Sequence, residues 1–286
     1  MTTKTPAPAD RREIWLMAGI FLGAFLLRLI YMIFARQHYF FYESPSADVT
    51  YYQEWARDIA RGNWLGDRTF LGLPLYPYFL SVLIRLTVNH LEAVRVLHLL
   101  LGSLNCILIY LVGQKIFSKK IGILAAILAA TNFILIYYDW LMMPVPLLIF
   151  LTLIILLALL HRDELQTWRE WFFLGLFIGL AILGDGKFLF FFLILLGYEY
   201  FVWKKASGHL PKLTRQMLPL ILGATLVLGA SAVRGKMISG EWIFISTQGG
   251  LSLYAGNNPE AQGTYEHPSF LRPDHFGQDE DQRIVA

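Results

Sequence analysis

Charge is what this sequence has least of. Only 16% of its 286 residues are Asp, Glu, Lys or Arg, against about 25% in soluble domains. Cysteine is nearly absent too. Cys106 stands alone inside an apolar run, which excludes an intrachain disulfide framework and a Cys-rich zinc site. The 7 histidines fall in no HExxH or other metal-ligand spacing. There is no Walker loop, and no GxGxxG follows a strand, so a nucleotide cradle has no support. Basic residues do not cluster with exposed aromatics, which argues against nucleic acid. What remains is 56% hydrophobic and 15% aromatic, with a mean hydropathy of +0.50. Lipid is the solvent that suits such a chain.

A bilayer core about 30 Å thick needs roughly 20 apolar residues in helical conformation. The runs that approach this length are Ile14–Ala35, Ala93–Gly113, Ile121–Tyr138, Pro144–Leu160, Trp171–Leu183, Phe188–Trp203 and Met217–Val233. The first lacks a small-residue cleavage site and reads as a retained anchor. If these spans alternate, Arg11-Arg12, Lys119-Lys120, Arg162 with Arg169, and Lys204 through Arg215 share one side. The positive-inside rule makes that side cytoplasmic. The expected arrangement is an all-α polytopic bundle with a cytoplasmic N-terminus, in a bacterial inner (plasma) membrane. The transmembrane domain covers 1–233, and 234–286 begins an extracytoplasmic segment. Residues 36–92 form the first outer loop. Counting Leu75–Leu86 as a span would invert this scheme, but that run is about half the needed length and holds Pro77.

The first outer loop carries two amphipathic segments. Asp48 is placed to cap a helix, after which Val49, Tyr52, Ala56, Ile59 and Ala60 recur at helical spacing until Gly62-Asn63. Pro74 and Pro77 open a second short helix, PLYPYFLSVLIRL. The tail differs in kind, giving a small mixed outer segment. EWIFIST and LSLYAG read as strands, and GNNPEAQGTY reads as a turn-rich loop. The chain ends at DEDQRIVA with no closing structure, which reads as an N-terminal fragment.

Polar groups at the outer ends of spans are the informative positions. Asp139 ends the third span, Asp185 and Lys187 sit in the turn GDGK, and Arg234 ends the last. With Asp48 they fall on one side. Ionisable residues at membrane depth are costly and mark sites. Taken singly, each has a plainer reading: Lys187 and Arg234 as snorkelling cations, Asp48 as a cap, Asp139 as the close of the next helix. Arg28, within the first span, either snorkels or faces a polar cavity. Arg95, His98 and Asn105 read as interhelix contacts rather than ligands. Taken together, a carboxylate beside cations at a membrane surface suits a lipid-linked phosphate leaving group. The carboxylate removes a proton from the attacking hydroxyl, and Lys and Arg stabilise charge on the departing phosphate.

The stretch D-x-x-x-Y-x-x-W-A-x-x-I-x-x-G-N-W, then PLYPYFL, then STQGGLSLYAGNNPEAQGTY, resembles the dolichyl-phosphate-mannose–protein mannosyltransferase-like glycosyltransferases. These share the GT-C fold with the aminoarabinose transferases that modify lipid A. The resemblance implies an inverting transferase that takes a sugar from a polyprenyl-phosphate donor on the outer face. The acceptor it implies is a protein, lipid A or another glycan. It places the family's first-loop acid on Asp48, its acid at the end of the third span on Asp139, and its lysine on Lys187. Arg234 joins Lys187 in holding the donor phosphate, and Asn257-Asn258 line the site. The chain departs from the pattern at Ala47, where many relatives have a second acid. It departs again at MMPVPLL, where they have Glu, and at Gly235, where they have Asn. The missing second acid weakens the case for a metal bridging two acids; no metal ligand is assigned, and metal dependence stays open. His267, Asp274 and His275 are the candidates for a divalent cation, against which a solvated loop is the favoured reading. The rival readings are a transporter or flippase, which predicts inverted repeats and broken spans, and a non-catalytic assembly protein.

Overall fold

The computed structural model describes residues 11–39, 42, 47–66, 69, 70, 72–162, 165, 167–205, 210–259, 261 and 263. Among these the regular structure is helical throughout: α1 (Arg11–His38), α2 (Ala47–Ala60), α3 (Leu75–Leu86), α4 (Leu91–Ile116), α5 (Lys119–Thr131), α6 (Phe133–Trp140), α7 (Val145–Leu160), α8 (Trp168–Gly184), α9 (Phe188–Lys205), α10 (Leu210–Ser239) and α11 (Gln248–Asn257). Among the described residues α1, α4 and the Arg215–Ser239 part of α10 are long and apolar enough to cross a membrane. The pair α5 and α6 passes the same test together.

The chain divides into two compact units, Met1–Glu54 with Val82–Glu164, and Trp55–Ser81 with Leu165–Ala286. In the first, α4 is the central helix, packed by α1, α5, α6 and α7. Its buried residues include Val94, Leu99, Cys106 and Tyr110. The run read as one span over 121–138 is broken. α5 and α6 meet at Asn132 with a bend of 56°. Asn132 does both capping jobs: its N–H bonds the Ala129 carbonyl, and its side chain accepts from the Leu135 N–H at 3.1 Å. Such a residue satisfies the orphan groups of two helix ends at once.

In the second unit α8 and α10 lie in close contact. A Cβ on Gly175 would sit 2.1 Å from the Leu220 carbonyl oxygen, and one on Gly223 would sit 2.2 Å from that of Phe172. Small residues let the backbones approach, as membrane helices require where lipid gives no hydrophobic incentive to pack. The Thr167–Glu170 capping box starts α8.

The tail corrects one expectation. LSLYAG is not a strand but lies within α11, and EWIFIST is irregular. A short apolar run fits helix or strand equally by pattern, and a lone strand has no ladder to join. The α10 helix runs past Val233 to Ser239, so Arg234 and Gly235 are helical residues.

Candidate active site

Asp48 and Asp139 belong to the first unit, and Lys187, Arg234, Asn257 and Asn258 to the second. Asp48 stands in the first turn of α2, inside the helix rather than at its cap. A carboxylate there is favoured by the helix dipole. Its side chain is exposed and forms no ion pair with any described residue. The buried face of α2 is Val49, Gln53, Ala56 and Ile59, so Gln53 takes the place in the stripe expected for Tyr52.

Asp139 is the opposite case. It lies in the last turn of α6 and is 3% exposed. Arg28 Nε donates to Asp139 Oδ2 at 2.6 Å, and Arg28 Nη1 donates to the carbonyls of Ala24 and Ala130 at 3.3 and 3.4 Å. Arg28 therefore does not snorkel; it turns inward to meet the acid. Gly102 of α4 makes the room, since a Cβ there would fall 2.1 Å from Asp139 Oδ2. Two polar residues of α4 bond outside their own helix. Asn105 Nδ2 donates to the Pro146 carbonyl at 2.9 Å. Arg95 donates to Glu92 at 2.8 Å and to the Tyr42 carbonyl at 3.0 Å, with its guanidinium 4.0 Å from the Tyr42 ring centre.

In the second unit, Asp185 caps the end of α8 and organises the GDGK turn. Its Oδ1 accepts from the Lys187 N–H at 3.0 Å, and its Oδ2 pairs with Lys187 Nζ at 3.1 Å. The Lys187 side chain is 86% exposed, so this pair is loosely held. Asn257 and Asn258 bond backward to the carbonyls of Leu253, Tyr254 and Ala255. They close α11 with their amides.

Arg234 is buried and stacked. Its guanidinium carbon lies 3.5 Å from the Phe70 ring centre. The Arg234 guanidinium acts on the Tyr78 hydroxyl, which donates to the Trp64 carbonyl at 2.6 Å. Burial raises the Tyr78 phenol above its ordinary range, and the neighbouring guanidinium opposes that rise. Phe70 is held in turn by Thr247, whose N–H and hydroxyl reach its carbonyl at 2.9 and 3.2 Å. The segment after α10 comes this close because position 235 is glycine: a Cβ there would lie 2.9 Å from the Ile243 Cβ and 3.0 Å from its nitrogen. The Arg-Gly departure thus has a packing reason. Phe70 and Gly66 had no functional signal in the sequence, and Tyr78 had one only as part of PLYPYFL. Phe70 is remote from Arg234 along the chain, and only folding makes them neighbours.

Among the described residues no group of three or more His, Cys, Asp or Glu is placed to hold a metal ion. His267, Asp274 and His275 lie outside the described residues.

Residues 71–233, more than half of the chain, match the family model of the dolichyl-phosphate-mannose-protein mannosyltransferases. No curated protein and no solved structure matches the chain.

Proposed function

The chain belongs to the dolichyl-phosphate-mannose-protein mannosyltransferase family, and on that premise we propose that it transfers a sugar, with inversion, from a polyprenyl-phosphate donor on the extracytoplasmic face. The acceptor is a hydroxyl of a protein, a lipid or a glycan. Family membership makes it a membrane glycosyltransferase of GT-C type; the face, the stereochemistry and the residue roles are our reading. The observation that carries those roles is the contrast between the two acids. Asp139 is buried and neutralised by Arg28, whereas Asp48 is exposed at the start of α2.

Asp48 acts as general base. As the acceptor oxygen bonds to the anomeric carbon, its proton passes to the Asp48 carboxylate, and the bond from that carbon to the phosphate oxygen breaks. The polyprenyl phosphate leaves as a monoester dianion, with its charge met by Arg234 and Lys187. A guanidinium offers donors in one plane that match two phosphate oxygens. Asp139 has a supporting role: it fixes α1, α4 and α6 against one another. Asn257 and Asn258 line the site.

The test is direct. The purified protein is incubated with radiolabelled polyprenyl-phosphate sugars and membrane acceptors, and both labelled product and free polyprenyl phosphate are followed. Transfer with inverted anomeric configuration supports the reading; retained configuration, or transport of the donor without bond cleavage, contradicts it. Sidedness has its own check: a cysteine at Trp64 should react with an impermeant maleimide added outside intact cells.

A further inference from the structure

The surroundings of Arg234 are too specific for a cation that merely ends a span. Three groups converge on it within the second unit. The Phe70 ring covers one face of the guanidinium at 3.5 Å. The guanidinium acts on the Tyr78 hydroxyl, which is itself tied to the Trp64 carbonyl. Gly66 lies against Nη2, where a Cβ would sit 2.9 Å away, and its φ of +66° is one that side chains rarely adopt. The Gly66 N–H is fixed by Asn63 Oδ1 at 3.0 Å. Phe70 is braced from behind by Trp55, whose ring centre is 4.8 Å away, and by Thr247. The Arg234 side chain would otherwise sample many rotamers; here one is selected.

We propose that Phe70, with Gly66 and Tyr78, is a positioning element that orients the Arg234 guanidinium toward the phosphate of the lipid-linked donor. This rests on the reading that Arg234 binds that phosphate. The chemistry follows from the shape of the group. Stacking occupies the face of the guanidinium, so its N–H donors point outward in the plane of the ring system. Gly66, lying against Nη2, limits the rotation within that plane. A phosphate then meets a fork whose direction is fixed before it arrives, and binding loses less side-chain freedom. Thr247 extends the same device to the segment after α10: its grip on Phe70 depends on Gly235, so that segment supports the donor side without touching the donor.

The experiment uses the whole protein in detergent with a short-chain polyprenyl monophosphate as the binding probe, beside donor KM and kcat in the transfer assay. Phe70→Leu keeps apolar volume and removes the aromatic face. A cation–π contact corresponds to about 2- to 30-fold in affinity, so probe affinity should fall and donor KM rise within that range, with acceptor KM unchanged. Phe70→Tyr, which keeps the aromatic face, should hold both near the parent values. Adding Phe70→Leu to Arg234→Gln should cause no further loss of probe affinity. If Arg234→Gln weakens the probe while Phe70→Leu leaves it at the parent value, the positioning role is overturned and the phosphate reading stands. If Arg234→Gln itself leaves probe affinity unchanged, the phosphate reading fails and the positioning role fails with it. Should Phe70→Leu not fold, Gly66→Ala gives the same comparison from the other side of the guanidinium.

Discussion

Arg28 and Asp139, far apart in the chain, form a buried ion pair at 2.6 Å with side chains 1% and 5% exposed. Each charge would be prohibitive alone in this setting; together, with two helix carbonyls completing the guanidinium's bonds, they are tolerated. Removing one partner strands the other. Asp139→Ala should therefore destabilise the protein by about 3–5 kcal/mol, read as thermal unfolding in detergent. The double variant Arg28→Met with Asp139→Leu should recover most of that loss, because no lone charge remains. A double variant as unstable as Asp139→Ala would show that the pair is not what the site depends on.

Gly102 sets the clearance for that pair. Its missing Cβ is the space that Asp139 fills, with the carboxylate oxygens and carbon 2.1–2.5 Å from where the atom would be. Gly102→Ala must push α6 or turn the carboxylate off Arg28. Overpacking of this kind costs about 1–3 kcal/mol. The unfolding temperature of Gly102→Ala should fall, whereas Gly197→Ala, where nothing lies within 4 Å of the added atom, should hardly move it.

Much of this was legible from sequence, for identifiable reasons. The apolar runs gave the helices, because hydropathy over about 20 residues has few alternatives in a bilayer. The amphipathic face of α2 and the short α3 followed from periodicity and prolines. Hydropathy did not reveal the bend at Asn132, since a polar residue that caps two helices leaves the average unchanged. The α11 helix was misread because a run as short as LSLYAG has no decisive period. Asp139, Lys187 and Arg234 stand out in the sequence as polar groups at span ends, and Asp48 as an acid of the first outer loop on the same side. Their partners were not, because Arg28–Asp139 and Phe70–Arg234 are contacts between residues remote in sequence, and a single chain carries no record of such pairings.

Tyr42 supplies a pH dependence outside the spans. Its hydroxyl donates to Glu92 Oε2 at 2.6 Å, and its ring stacks on Trp140 at 5.3 Å. Burial first, and the Glu92 hydrogen bond second, push its phenol up from 10.0 to about 12. The folded protein thus keeps this proton at a pH where the unfolded chain has lost it. The resulting stabilisation is complete below the unfolded value and disappears as pH rises through the folded one. Unfolding midpoints should decline between pH 10 and about 12, and Tyr42→Phe should flatten that decline. An identical decline in parent and variant would assign it to other groups.

The central claim is that the exposed carboxylate of α2 takes the proton in sugar transfer. Asp48→Asn keeps the size and the helix position of the side chain and removes its basicity. The decisive measurement is the single-turnover rate of sugar transfer from the lipid-linked donor by Asp48→Asn against the parent, with unfolding temperatures compared in the same detergent. The account predicts a loss of about a hundred- to ten-thousand-fold at unchanged stability; transfer within a few-fold of the parent rate would contradict it.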